Sequence, residues 1–316
     1  MKPRFINNLG FSDPYGSTSS RVDSLFSRSN SRPASNGMTV HRVGMDSPFF
    51  LKTMECLGKG ECGTDSTSPD PLLDWVLTGN TDTNCKPLKD PPEKYRQEWF
   101  LWMAKYCGWF SLARSGLYAL VDGTRVVAAA ATAPPKAVSF GSMSGGEMGD
   151  NIREAGMQIG QDILANNLRM RALGTWQHGV QGEAGLANST NFLYIVMFAT
   201  LPEAQGKGCG KALLNFLGEV ADADGVVGFL ETAGERNTAF YSKGGYEVVA
   251  KSPVAGFTHE GGGVGMLRKA RPRTQSIIST QDEDDKPPYC TFVAKRSSGP
   301  LANYCRLCGE HKAKHG

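Results

Sequence analysis

The segment that most constrains this chain is Leu201-Pro202-Glu203-Ala204-Gln205-Gly206-Lys207-Gly208-Cys209-Gly210-Lys211. It follows a continuous apolar run of strand length over residues 192–200. It precedes Leu213, Leu214, Leu217, Val220 and Ala221, spaced as one buried face of a helix. Three alternate glycines between a strand and a helix let successive backbone N–H groups point inward, and the helix adds its positive N-terminal end. Such a turn binds a pyrophosphate. It lacks the Gly-Lys-Ser/Thr ending of nucleotide hydrolases and the GxGxxG spacing with a later ribose-binding acid. Nucleotide hydrolysis and nicotinamide binding therefore both fit badly.

Around this segment the elements alternate. Residues 39–43 read as a short strand and residues 48–57 as a helix, and a turn-rich stretch follows over 58–69. A second helix starts with Asp70 as N-cap and Pro71 at its first position. Residues 92–110 carry Tyr95, Trp99, Trp102, Met103 and Tyr106 at three- and four-residue spacings, most simply a core stripe. Asp122-Gly123 between residues 117–121 and 125–132 is a hairpin signal. Residues 141–190 form a long insertion, with a helix expected from Asp150 through Ile152, Ile159, Ile163 and Leu168. Downstream, residues 226–230, 246–250 and 265–267 read as strands and 235–243 as a short helix. The fold class is α/β, a layered sheet flanked by helices. With 316 residues and 40% hydrophobic content, the chain can bury a sizeable core.

The Gln205-x-x-Gly208-x-Gly210 arrangement after Pro202 resembles the Gln/Arg-x-x-Gly-x-Gly/Ala signature of the GNAT acetyltransferases. The resemblance continues in Leu230-Glu231-Thr232, in Arg236-Asn237-Thr238-Ala239-Phe240-Tyr241 and in Gly245-Tyr246. Asp70-Pro71-Leu72-Leu73 and the hairpin over 117–135 look like the early elements of the puromycin-acetyltransferase-like branch. Together these cover about residues 39–269. The resemblance implies a central, mixed and twisted β-sheet, with the helical insertion lying between its third and fourth strands. Three departures from the family pattern stand out: Ala204 replaces a bulkier residue, Thr200 stands where valine is common, and Gly244-Gly245 adds a glycine.

What the resemblance implies, placed on these residues, is an acetyl-CoA site with the pyrophosphate on the amides of Gln205, Gly206, Lys207, Gly208, Cys209, Gly210 and Lys211. The pantetheine arm would exchange backbone hydrogen bonds with Phe198 and Thr200 where that strand splays from the next. An N–H of Phe198 or Ala199 would polarise the thioester carbonyl. Asn237 is expected to hold the pantetheine and Tyr241 to protonate the departing thiolate. The thioester is already activated, so direct transfer to an aligned amine suffices. Glu231 is the best-placed base for the amine, and equally suits orienting a loop or a water. Glu203 reads as solvated, and His178 as an exposed residue of a glycine-rich loop. Cys209 sits at a helix N-terminus that lowers thiol pKa values, but its position ordinarily takes a small core residue.

The expected function is an acetyl-CoA-dependent N-acetyltransferase acting on a small-molecule amine, with the insertion shaping the acceptor pocket. A protein lysine or N-terminal amine is the alternative acceptor, and a CoA-binding regulatory module the alternative class. Net charge of +3 from 34 basic and 31 acidic residues does not point to nucleic acid or to a membrane surface. No secretory signal pattern opens the chain, so the eight cysteines read as reduced thiols or metal ligands and the location as cytoplasmic. An organellar transit peptide fits the Ser/Arg composition, but no amphipathic helix supports one. Residues 1–38 are expected to be a disordered tail, 39–270 the acetyltransferase domain and 271–316 a charged tail. Arg28-Ser29-Asn30-Ser31-Arg32-Pro33 has the form of a site for a phosphoserine-reading adaptor at Ser31, alongside the plain reading of a flexible tail. Cys305, Cys308, His311 and His315, with Cys290, have the spacing of a zinc knuckle. Only one knuckle is visible, so no metal ligand is assigned there and a disordered basic tail is the simpler reading.

Overall fold

The computed structural model describes residues 20–26, 30–34, 37–64, 69–79, 93–112, 114–136, 162–187, 189–257 and 262–271. Eight strands form one sheet in the order β1-β2-β3-β4-β5-β6-β8-β7. They are β1 (Ser31–Pro33), β2 (Thr39–Arg42), β3 (Leu117–Asp122), β4 (Arg125–Ala133), β5 (Phe192–Thr200), β6 (Val227–Ala233), β7 (Glu247–Ala250) and β8 (Gly263–Arg268). Every neighbouring pair is antiparallel except β5–β6. The helices are α1 (Ser20–Asp23), α2 (Phe50–Cys62), α3 (Pro71–Thr78), α4 (Glu93–Leu112), α5 (Asp162–Glu183), α6 (Cys209–Asp224) and α7 (Glu235–Ser242). The architecture is the expected α/β sheet flanked by helices, with α5 inserted between β4 and β5.

Small residues decide how closely the layers meet. Ala128, Ala129, Ala130 and Ala131 in β4 are fully buried, and α2 and α6 both pack against this strand. A methyl on Gly60 of α2 would stand 2.7 Å from Ala199 Cβ, and one on Gly210 of α6 would stand 2.7 Å from Thr200 Oγ1. Ala199 and Thr200 are consecutive in β5 and so point to opposite faces. The two helices therefore sandwich the sheet. Asp70 caps α3 by accepting from the Leu73 N–H at 2.9 Å, and Asp122↔Arg125 closes the β3–β4 hairpin, as the sequence predicts.

Several expectations are corrected. The helix expected over 48–57 runs on to Cys62 through Gly58 and Gly60, which the sequence reads as the start of a turn-rich stretch. Both glycines serve contact, since a methyl at Gly58 would stand 2.9 Å from the Leu101 Cα of α4. His178 lies not in a loop but on the exposed side of α5, a helix that tolerates Gly174, Gly179 and Gly182 because its other side is buried. The described residues 20–26 and 30–34, within the tail expected to be disordered, are instead packed on the domain. α1 lies on α6 with Val22 buried, Phe26 stacks on Tyr118 at 6.2 Å, and β1 pairs with β2. Apolar Val22 and Phe26 supply the burial that the serine-rich composition conceals. Ser31 is consequently in an edge strand opposite His41, so an adaptor reading it in extended form must first lift β1 from the sheet. The proposed Cys/His knuckle and the expected helix start at Asp150 lie outside the described residues.

Candidate active site

β5 is the axis of the site. Its N-terminal part pairs with β6 only from Phe192↔Val227 to Tyr194↔Phe229, whereas its pairing with β4 continues to Ala128↔Thr200. Beyond Tyr194 the two parallel strands part and leave a gap. A register shift between Ala131 and Thr132 leaves Val196 as an extra residue on β5 just past that point, a bulge that bends the strand where the gap begins.

Strand parity assigns the peptide groups. The Leu201 N–H donates to Val127 O at 3.0 Å, so Leu201 and Ala199 turn their peptide groups toward β4, and Phe198 and Thr200 turn theirs into the gap. The peptide groups of Phe198 and Thr200, which the resemblance assigns to a strand-like ligand, therefore face the gap. Ala199 is corrected as a donor to a thioester oxygen, because its N–H is directed into the sheet.

The loop after β5 begins with a 3-10 turn, Pro202–Ala204, and the N–H of Gln205 is consumed by Leu201 O at 3.1 Å. Gln205 is therefore corrected as an amide donor. Its side chain braces the loop instead: Nε2 donates to Thr200 O at 3.2 Å, and Oε1 accepts from Arg236 Nη2 of α7 at 2.7 Å. The N–H groups from Gly206 to Lys211 make no backbone hydrogen bonds among the described residues. Gly206 and Gly208 have φ of 73° and 82°, and the places where their Cβ atoms would stand are open. Only glycine holds this left-handed geometry without strain while leaving room for a phosphate. The bare turn and the α6 N-terminus fit the pyrophosphate of an acyl-CoA. Lys207 and Lys211 are exposed beside it, and Cys209 is buried with its Sγ 3.9 Å from Met38 Sδ, which makes it a core residue. Glu203 is exposed and ion-paired with Arg125.

Four side chains from three elements lie about the gap. Tyr241 of α7 packs edge-on to Phe198 at 6.1 Å, and its pKa lies well above the ordinary value because of burial first and the nearby Glu61 and Asp70 carboxylates second. Asn237, one turn earlier on the same helix, is half-buried. Glu231 of β6 accepts from Tyr194 Oη at 2.6 Å and from Gln181 Nε2 of α5 at 3.0 Å. Burial raises its pKa to about 7 against the pull of these donors. Glu61, at the last turn of α2, is the residue that sequence reasoning missed. Its carboxylate accepts the Phe198 N–H, while burial and Asp70 push its pKa well up. The signal for it was Gly58-Lys59-Gly60-Glu61, two glycines that let α2 touch β5 and deliver the next side chain onto the strand.

A gap in a sheet floored by a phosphate-ready turn defines a class, the acyl-CoA-dependent acyltransferases. In keeping with that geometry, residues 170–248 match the family model of the Acetyltransferase (GNAT) domain. That span holds most of α5, β5, the loop, α6, β6 and α7. No curated protein matches the chain in sequence. Similar solved structures include arylalkylamine N-acetyltransferase 2 from Aedes aegypti, at 12% identity over 75% of this chain and 100% of that one, with a TM-score of 0.46. A Drosophila melanogaster polyamine N-acetyltransferase aligns at 11% identity over 73% of this chain and 99% of that one, with a TM-score of 0.43. The PaiA N-acetyltransferase from Thermoplasma acidophilum, solved with coenzyme A, aligns at 11% identity over 73% and 98%, with a TM-score of 0.38. No helix among the described residues is long and apolar enough to cross a membrane, and no group of three or more metal-ligating side chains occurs among them.

Proposed function

We propose that the protein transfers an acetyl group from acetyl-CoA to the nitrogen of a small-molecule amine. The observation that carries this reading is the gap beside Phe198 and Thr200, which opens toward the glycine turn and is bordered by Tyr241 and Glu231. Phe198 N–H, held in a rigid strand, faces the gap; the thioester oxygen, as negative charge develops on it, takes this donor over from the Glu61 carboxyl, whose raised pKa favours the neutral form and weakens its hold. As the amine nitrogen bonds to the carbonyl carbon, the C–S bond breaks. Tyr241, which keeps its proton, gives it to the departing thiolate; Glu231 takes the proton lost by the amine. A carboxylate with a pKa of about 7 is matched to that task near neutral pH. Asn237 holds the pantetheine arm, and Gly206, Lys207, Gly208, Cys209, Gly210 and Lys211 supply the phosphate amides. The same reading extends to the puromycin-acetyltransferase-like branch, on Asp70-Pro71-Leu72-Leu73 and the β3–β4 hairpin.

A second assignment of the base is favoured by one specific contact: Glu61, not Glu231, reaches Phe198 N–H and acts on Tyr241. Thiol release from acetyl-CoA over a panel of primary amines tests the whole reading, and Glu231→Gln against Glu61→Gln tests the base. Loss of turnover with intact CoA binding in only one variant identifies it. If CoA binds in calorimetry and no amine, small or peptidyl, gives turnover, the protein is a binding module instead.

A further inference from the structure

α5 lies along the sheet, and two of its residues one turn apart reach the same pair of side chains. Gln181 Nε2 donates to Glu231 Oε1 at 3.0 Å, Tyr194 Oη donates to Glu231 Oε2 at 2.6 Å, and Gln177 Nε2 reaches Tyr194 Oη at 3.4 Å. Between the two glutamines, Val180 is fully buried over Gly265, the β8 partner of Glu231. A side chain there would press on Val180, since a methyl on Gly265 would stand 3.2 Å from its Cγ1. Tyr194 belongs to the last paired row of β5 and β6, and Glu231 follows that row by two residues. The network therefore occupies the closed end of the gap, where the strands part.

We propose that Gln181, supported by Gln177, is a positioning residue through which the insertion helix holds the Glu231 carboxylate ionised at the closed end of the gap and so fixes the pH range of acetylation. This rests on the acetyltransferase reading. Both carboxylate oxygens are engaged by donors, and a donor favours the charged form, whereas burial favours the neutral one. The groups facing the pair are few: Tyr194 from β5, Gln177 and Gln181 from α5, and the Cys107 thiol of α4 near Tyr194, itself pushed up to about 12 by burial and so neutral. β8 presents only Gly265. No Lys, Arg or His is among the groups that act on Glu231 in the described structure. With no cation to hold the charge, the two side-chain donors and the Glu231 backbone do so, and one of those side-chain donors comes from the insertion.

The test compares the full-length protein with Gln181→Met, Gln177→Met and Glu231→Gln. Two readouts are taken: kcat/KM against pH with the best amine of the panel, and titration of the 13C-labelled Glu231 carboxyl by NMR, assigned by its absence in Glu231→Gln. An acid limb is expected in the wild type. In Gln181→Met it moves up by about one pH unit, read as about tenfold lower kcat/KM on the acid side with an unchanged plateau. The carboxyl titration moves with it, and Gln177→Met gives a smaller shift of the same sign. A lowered melting temperature in Gln181→Met with limb and titration unmoved overturns the proposal. The NMR titration needs no turnover, so it judges the insertion even if every amine fails and the enzyme reading falls.

Discussion

Tyr241 keeps its proton because its hydroxyl is buried among carboxylates, with Phe198, Phe240 and Tyr246 rings 5.1 to 6.2 Å from its own. Removing only the hydroxyl leaves that aromatic packing in place. Tyr241→Phe is therefore expected to lower kcat by about a hundredfold while CoA affinity in calorimetry stays the same. Glu231 makes a prediction of opposite character. Its folded pKa of about 7 is above the usual carboxylate value, so its contribution to stability is complete below about pH 4.5 and is lost as pH rises through 7. Glu231→Gln removes this dependence. Between pH 5 and pH 8 the wild type should lose roughly 2–4 kcal/mol relative to the variant in urea unfolding. Parallel curves for the two proteins would mean that Glu231 titrates normally. Neither residue's role rested on spacing alone in the sequence: Tyr241 was marked by a family motif, and Glu231 by its place at a strand, while Tyr194 and Gln181, which hold it, carry no motif.

At the level of elements, the strand–loop–helix over β5 and α6 was legible because it is contiguous. Its apolar run, glycines and buried helical face all follow one another in sequence. α2 was not legible to its end, because Gly58 and Gly60 are helix breakers by propensity and only the backbones of α4 and β5 show why they are there. Gly60 tests this. Its missing Cβ would lie 3.2 Å from the Thr200 N and 3.0 Å from the Thr200 O, the peptide groups that face the gap. Gly60→Ala adds helix propensity, yet it should destabilise by about 1–3 kcal/mol through overpacking, and should weaken CoA binding as well. A stabilised variant with unchanged CoA affinity would show that α2 does not press on β5. The same contrast explains α5. Its glycines masked it, and its helical state depends on Val180, Trp176 and Leu173 being buried against distant strands.

The whole molecule is tied together by segments that come from far apart in the sequence. At one edge, Arg42 binds Asp23 at 2.6 Å and Asn30 at 2.9 Å and lies over the Phe26 ring at 4.9 Å, which fastens the N-terminal segment over Tyr118 and Phe216. At the other, the β7–β8 connection is held by two indoles: Trp75 Nε1 donates to Gly256 O at 3.0 Å and Trp176 Nε1 to Ser252 O at 2.8 Å. α3 and α5 thus grip one loop, and they also grip each other. Arg169 of α5, only 1% exposed, donates from Nε to Val76 O at 2.7 Å and from Nη2 to Leu77 O at 3.2 Å, at the last carbonyls of α3. A cation at a helix C-terminus satisfies carbonyls that no intrahelical N–H reaches, and it complements the helix dipole. Gly79 makes room, since a methyl there would stand 2.7 Å from Nη1. Arg169→Ala should therefore cost about 3 kcal/mol in unfolding experiments, through the loss of charged hydrogen bonds and the space left behind. Because α5 belongs to the insertion expected to shape the acceptor pocket, the proposed reading makes a second demand. At a temperature where the variant is folded, KM for the amine should rise several-fold while CoA affinity is unchanged, because the phosphate turn belongs to β5 and α6. Equal losses for amine and CoA would mean that α3 and α5 support the whole sheet and do not act on the acceptor side alone.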